Sequence, residues 1–181
     1  MNAGEDHAVY GLEDVTIGEK MEKPIKELTI ERRFDAPIEL VWKAWTDRDI
    51  VQKWWGPRGV TNPTCEWEAK PNGRISIVMQ AGQELGDMAG QKWPMEGRFA
   101  EVSPMSRLVF TSNAIDDVKK ALLETLVTVS MARDGNKTRI SIHIAVTKAV
   151  AGKTEFMLQG MEMGWNQQID KLAALVAGQT S

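Results

Sequence analysis

The side chains able to do chemistry in this sequence are few and scattered. They are two histidines, one cysteine and a set of carboxylates on segments with strand periodicity. A metal site needs several ligands at short, regular spacings. His7 stands near the N-terminus, while His143 and Cys65 fall on separate strand-like segments, so no ligand set forms and no metal is expected. Cys65, between Thr64 and Glu66, has no neighbour to activate it and reads as a buried, inert thiol. His143 alternates with Ile142 and Ile144, which turns it to the solvent side of its strand. Glu66, Glu68, Glu96, Asp116 and Asp117, with Arg74 and Arg98, are the remaining acid–base candidates. Glu96 and Arg98 share the face opposite Met95 and Phe99, so solvated ion pairs are expected there.

What recurs is large and apolar. The chain has 181 residues, 43% of them hydrophobic, enough for one domain with a full core. Its 22 basic and 25 acidic residues give a net charge of −3, with no basic block to serve as a nucleic-acid or anionic-membrane footprint. No apolar run approaches the roughly 18–20 residues of a membrane span. Glu5 and Asp6 stand where a secretory signal would be basic and then apolar, so a cytoplasmic protein is expected. The lone cysteine allows no intramolecular disulfide, and Asn136-Lys137-Thr138 is expected to match the glycosylation sequon by chance, in a turn.

Residues 1–24 are polar and weakly periodic and are expected to be a flexible extension, closed by Pro24. Val9, Tyr10, Leu12, Val15 and Ile17 would anchor it if it docked on a partner subunit, the basis for a possible homodimer. The main domain is expected to span residues 25–181. Leu28 and Ile30 alternate with Thr29 and Glu31 in a first strand. Pro37 opens a short helix burying Ile38, Val41, Trp42 and Trp45, and Thr46 to Asp49 offers a weak capping box for a second, Ile50 to Trp55. Short strands follow at 65–68, 74–79, 93–102 and 107–111, with loops at 80–92, a candidate mouth or lid, and 113–120. A hairpin turns at Asp134-Gly135-Asn136. The last stretch, Thr154 to Val176, carries Leu158, Met161, Trp165, Ile169, Leu172 and Val176 on one helical stripe. Six such side chains contribute a gross ~9–18 kcal/mol when fully buried, so this helix must cover something. Gly160 and Gly164 interrupt it and suggest the close approach of another backbone or a ligand. The order describes an α+β fold, an antiparallel sheet curled around a C-terminal helix.

Particular residues carry a resemblance. Glu31 to Pro37, Val41 to Asp47 and Trp54-Trp55-Gly56-Pro57-Arg58-Gly59 resemble the opening of the START-like (SRPBCC) superfamily. Within it they are similar to the branch named after the C-terminal domain of the activator of heat-shock-protein-90 ATPase. Gly97-Arg98-Phe99, and Gly164-Trp165 followed by Ile169 and Leu172, match its later landmarks, so the resemblance covers about residues 26–177. It implies the helix-grip fold, START-like or Bet v-like, with a cavity between the sheet and the last helix. It also implies small-molecule binding, cyclase-like catalysis or a co-chaperone role, although the full-length co-chaperone has a whole further domain before this one. A cyclase needs polar groups in the cavity to hold an enolate, and the chain has no tyrosine besides Tyr10.

The expectation from residues and resemblance together is a small lipophilic or aromatic ligand bound in an internal apolar cavity, without cofactor and without turnover. The expected ligand-binding set is Trp54, Trp67, Ile75, Ile77, Met79, Met95, Phe99, Phe110, Val127, Val129, Ile140, Ile142, Met161 and Trp165. Trp54 and Trp55, being consecutive, cannot both face one direction, and Trp165 beside Gly164 is the foremost candidate for ligand contact. A cyclase or isomerase using the same cavity, and a module regulating a chaperone ATPase, are the alternatives. Neither nucleic acid nor membrane insertion is expected.

Overall fold

The computed structural model describes residues 23–178. His7 and the expected anchors Val9, Tyr10, Leu12, Val15 and Ile17 lie outside them, and so does the dimer expectation that rests on those anchors. A strand β1 (Lys26–Phe34) leads to two short helices, α1 (Ile38–Thr46) and α2 (Arg48–Trp54). Seven strands follow: β2 (Val60–Trp67), β3 (Arg74–Ala81), β4 (Lys92–Ser103), β5 (Arg107–Thr111), β6 (Asn113–Ile115), β7 (Ala121–Asp134) and β8 (Lys137–Ala149). The long helix α3 (Glu155–Ala177) ends the described chain. All strands pair antiparallel in the order β1-β8-β7-β5-β4-β3-β2, while the short β6 pairs with both β4 and β7. This is the helix-grip α+β fold.

The period of two decides what each strand buries. Ile75 and Ile77 of β3, Met95 and Phe99 of β4, and Leu108 and Phe110 of β5 point inward. So do Val127, Val129 and Met131 of β7 and Ile140, Ile142 and Ile144 of β8. His143 stands on the outer face, its Nε2 3.2 Å from Glu27 Oε1. The outer face of β2–β4 carries the carboxylates as solvated pairs, Arg74 with Glu66 at 3.4 Å and with Glu96 at 3.9 Å, and Lys119 with Glu96 at 3.6 Å. Gly97 lets the sheet bend, since a Cβ there would lie 1.8 Å from Thr111 O. β8 is tied to the α1 entry by Thr138, whose Oγ1 donates to Ala36 O at 2.8 Å.

Four details differ from the sequence reading. The capping box at Thr46 does not form. Asp47 is the N-cap and accepts from Asp49 N–H at 2.9 Å, because the hydroxyl of Thr46 instead donates to Trp42 O within α1. The second loop contains β6, since Asn113 and Ala114 find backbone partners on β4. The residue 80–92 segment contains a short 3₁₀ helix, Gln83–Met88, between strands that reach to Ala81 and start again at Lys92, longer than the local pattern suggested. The short strand expected at 65–68 begins at Val60, and the bulge between Thr61 and Thr64 hides its alternation.

The stripe on α3 is buried at Met161, Ile169, Leu172 and Val176, whereas Leu158 and Trp165 are only half-buried. The glycines of α3 admit no neighbouring backbone. A Cβ on Gly160 or Gly164 would meet nothing within 4 Å. Gly160 faces solvent, and Gly164 faces a space discussed below.

Candidate functional site

The local structure of residues 54–59 builds the site. Trp54 ends α2 and turns into the core, where its Nε1 donates to Ala44 O at 2.9 Å and its ring lies 4.7 Å from that of Trp45. Trp55 leaves the helix yet stays in the same core, its ring 5.7 Å from that of Trp54 and 5.7 Å from that of Trp165 in α3, so both consecutive tryptophans face inward, contrary to the expectation from adjacency. Gly56 adopts φ +86°, a conformation that glycine takes without the Cβ penalty, so the chain reverses directly after Trp55. Asn62 holds this corner from below, its Nδ2 donating to Trp55 O at 2.9 Å and to Gln52 O at 3.0 Å. From above, α3 holds it. Gln168 Oε1 accepts from Gly56 N–H at 2.7 Å, Gln167 Oε1 accepts from Arg58 N–H at 3.1 Å, and Lys171 donates to Pro57 O at 3.3 Å. Arg32 grips the same helix from β1 through Asn166 at 2.7 Å and Asp170 at 3.4 Å.

The interior beneath the grip is largely solid. Ring contacts run without a break from Trp45 through Trp54 and Trp55 to Trp67, Phe99 and Phe110, with neighbouring centroids 4.7–5.7 Å apart. Two further indoles of this fill donate, Trp67 Nε1 to Trp45 O at 2.8 Å and Trp55 Nε1 to Met95 Sδ at 3.2 Å, whereas Trp45 Nε1 has no partner among the described residues. A pocket of about 190 Å³ remains where this aromatic fill ends. Its floor is Trp55, Gly56 and Pro57, with Met79 of β3 and Met95 of β4. Ser112, Ala114, and Leu123 and Thr125 of β7 form one wall, and Met161, Gly164, Trp165 and Gln168 of α3 form the other. The rings of Trp55 and Trp165 meet edge to face at 5.7 Å. Larger depressions of about 510 and 410 Å³ cross the solvent side of the sheet, among residues such as Arg33, Arg139 and Ser141, or Arg74, Glu96 and Lys119. Their linings carry charged side chains, whereas a site for an apolar molecule is mostly apolar, so lining chemistry rather than enclosure singles out the smaller pocket.

Of the residues expected to contact a ligand, Met79, Met95, Met161 and Trp165 line this pocket. The other ten do not. Trp54, Trp67, Phe99 and Phe110 belong to the aromatic fill, and Ile75, Ile77, Val127, Val129, Ile140 and Ile142 are core residues packed with it. Inward direction places a side chain inside the grip, but the bulk of the rings closes most of that interior. Trp55, rather than Trp54, is the tryptophan of the pair that reaches the pocket. The segment read as a mouth or lid supplies no lining residue. Ser112, Thr125 and Gln168 were not anticipated. For Gln168 a signal existed, because it follows Met161 and Trp165 and precedes Leu172 at steps of four, three and four, on the apolar stripe itself.

The pocket's polar groups are neutral. Thr125 Oγ1 donates to Ser112 O, and Ser112 Oγ lies 3.6 Å from Met95 Sδ. Gln168, 5% exposed, is fixed in one orientation, since the Gly56 N–H can only donate and must meet the amide oxygen. Its Nε2 is buried without a hydrogen-bond partner among the described residues. Leaving such a donor unmatched costs about 1–3 kcal/mol. Cys65 lies outside the pocket, and burial pushes its thiol up to about 11. Among the described residues no three His, Cys, Asp or Glu side chains gather to hold a metal, and no helix is long and apolar enough to cross a membrane.

Residues 35–177, nearly four-fifths of the chain, match the family described as Activator of Hsp90 ATPase homolog 1-like protein. The chain belongs to this family. Solved structures agree with the assignment. The AHSA1 protein of Silicibacter pomeroyi is 26% identical with a TM-score of 0.69, the match covering 85% of this chain and 99% of that one. A protein of Chromobacterium violaceum is 25% identical with a TM-score of 0.68, over 83% of this chain and 96% of the other. One from Nitrosomonas europaea, 24% identical with a TM-score of 0.68 over 85% of this chain and 96% of its own, shares the fold. No curated protein matches the sequence. The START-like superfamily and the Activator of Hsp90 ATPase homolog 1-like branch are thus those to which the Trp-Trp-Gly-Pro stretch and the Gly-Trp helix pointed.

Proposed function

We propose that this member of the Activator of Hsp90 ATPase homolog 1-like family binds one small, mostly apolar molecule between α3 and the sheet, for sequestration or sensing. The observation that carries this is the pocket lining, two tryptophan rings and three methionines around about 190 Å³ with no ionisable side chain among the lining residues. An engineered apolar cavity of about 150 Å³ takes up benzene, so this volume suits a single ring with a short substituent. Methionine's flexible thioether adapts to irregular guests, and tryptophan offers a broad apolar face. Burial of apolar area supplies the affinity. A cyclase or isomerase would need a group that accepts or donates a proton in the pocket, and the lining offers no such candidate.

Trp55 and Trp165 make the test direct, since a guest between them alters their emission. Titration with a single-ring probe such as acetophenone is expected to change intrinsic fluorescence saturably at one equivalent, with native mass spectrometry giving the same stoichiometry. Gly164→Leu places a side chain in the open space at Gly164. It is expected to weaken binding at least tenfold while keeping the far-ultraviolet circular dichroism of the parent. An unchanged titration in Gly164→Leu would move binding elsewhere. No saturable response to a panel of ring compounds would leave the surface, and hence a protein partner such as a chaperone ATPase, as the functional part.

A further inference from the structure

Three buried side-chain polar atoms lack a partner among the described residues: Trp45 Nε1, Asn62 Oδ1 and Gln168 Nε2. Only Gln168 lines the pocket. Its amide cannot be turned to relieve the mismatch, because Gly56 N–H holds the oxygen at 2.7 Å. What is left, on a residue of the pocket lining, is a buried NH₂ group with no acceptor. The lining hydroxyls of Ser112 and Thr125 donate to Met95 Sδ and Ser112 O, and neither lies within hydrogen-bond reach of Gln168 Nε2. A leucine or methionine at this position would remove this donor but leave the buried Gly56 N–H without its acceptor, so the glutamine also serves the corner at Gly56. Within an otherwise apolar lining, a buried donor of fixed direction is a means of selecting a guest that carries an acceptor.

We propose that the molecule bound in this pocket carries a neutral hydrogen-bond acceptor, a carbonyl or ether oxygen, received by Gln168 Nε2. Its apolar part then lies against Trp55 and Trp165. The acceptor is neutral rather than a carboxylate because no cation lines the pocket, and an unpaired charge moved there from water would be strongly disfavoured. Lys171, one turn further along α3, is half-buried outside the lining and donates to Pro57 O at 3.3 Å. The inference rests on the binding role proposed above and assigns Gln168 as the residue that sets specificity.

Two probes of nearly equal shape isolate the acceptor: acetophenone, and α-methylstyrene, in which C=CH₂ replaces C=O. The parent protein is expected to bind acetophenone roughly three- to tenfold more tightly by calorimetric or fluorescence titration, the range of one net hydrogen bond. In Gln168→Met the ratio of the two affinities is expected to fall to about one, whatever the loss of the Gly56 bond does to both alike. In the parent's amide nitrogen spectrum, the Gln168 side-chain NH₂ signal should shift with acetophenone and stay in place with α-methylstyrene, a readout that requires no folded variant. Equal affinity of the parent for both probes overturns the role of Gln168 while leaving the pocket as a binding site. A preference that survives in Gln168→Met does the same. Failure of both probes to bind the parent, with Gly164→Leu giving identical traces, overturns the binding role and this inference together.

Discussion

Cys65 pairs with Ile77 across β2 and β3 and is 7% exposed, so its thiolate would lose hydration, a cost that the charge of Arg48 only partly offsets. Burial is the leading cause that lifts its pKa from 9.0 to about 11. The unfolded chain releases this proton near pH 9, and the folded chain holds it until about pH 11. Between those values the unfolded state binds fewer protons, so stability falls as pH rises, by about 2–3 kcal/mol across the window. Cys65→Ala should remove that slope in urea melts taken from pH 8.5 to 11, although it lowers stability at every pH through lost packing. Equal slopes in parent and variant would show that the thiol does not titrate this way. The inertness of Cys65 was legible from its neighbours because no activating group stands beside it. The choice between Trp54 and Trp55 was not, since adjacency suggested that they diverge whereas both are buried in one core with rings 5.7 Å apart. The direction is set by the φ of Gly56 and by the bonds from Asn62 and Gln168, contacts 7 and 112 residues apart in sequence.

At the scale of elements, α3 combines two glycines that look alike in sequence and differ in surroundings. Gly160 faces solvent and Gly164 faces the pocket, and neither has a positive φ or a neighbour within 4 Å of a built Cβ. Gly160→Ala therefore gains helix propensity and meets no obstruction, a stabilisation of about 1 kcal/mol. For a chain of this size that is about 2–4 °C in Tm. Acetophenone affinity should be unaffected. A fall in Tm would mean that the helix is not formed at this position as described. The helical stripe and the strand parity were both readable, because periods of 3.6 and two are local properties of the chain. β6 was not, because three residues gain strand geometry only from backbone partners on β4 and β7. The reading of Gly160 and Gly164 as approaches of another backbone failed at both, while Gly164 lines the pocket, which leaves the ligand half of that reading open there. A missing Cβ records that space was left, whereas the contents of that space depend on the surrounding elements.

Over the whole molecule, the grip of α3 on the sheet is uneven. From Gln168 onward the helix buries Ile169, Leu172 and Val176 and is tied to β1 and to residues 56–58 by Arg32, Gly56 and Lys171. Before Gly164 only Met161 is buried, Met157 and Leu158 are half-covered, and Phe156 and Met163 are 71% and 67% exposed. The pocket lies at the junction of these halves, so the weakly held half is the part able to move aside for a guest. Local stability follows buried contacts, and segments poor in them open at lower free energy than the global value. Amide exchange is therefore expected to be at least tenfold faster at residues 158–163 than at residues 169–175, by hydrogen–deuterium exchange of the full chain read at residue resolution. Saturation with acetophenone should slow the first group and leave the second nearly unchanged, because the guest adds contacts to Met161 and Trp165 while Leu172 and Val176 already lie in the core. Uniform protection along α3, unaltered by the probe, would mean that the helix opens only with the whole fold. Entry would then have to pass through the β3–β6 side of the pocket, between Met79 and Ala114.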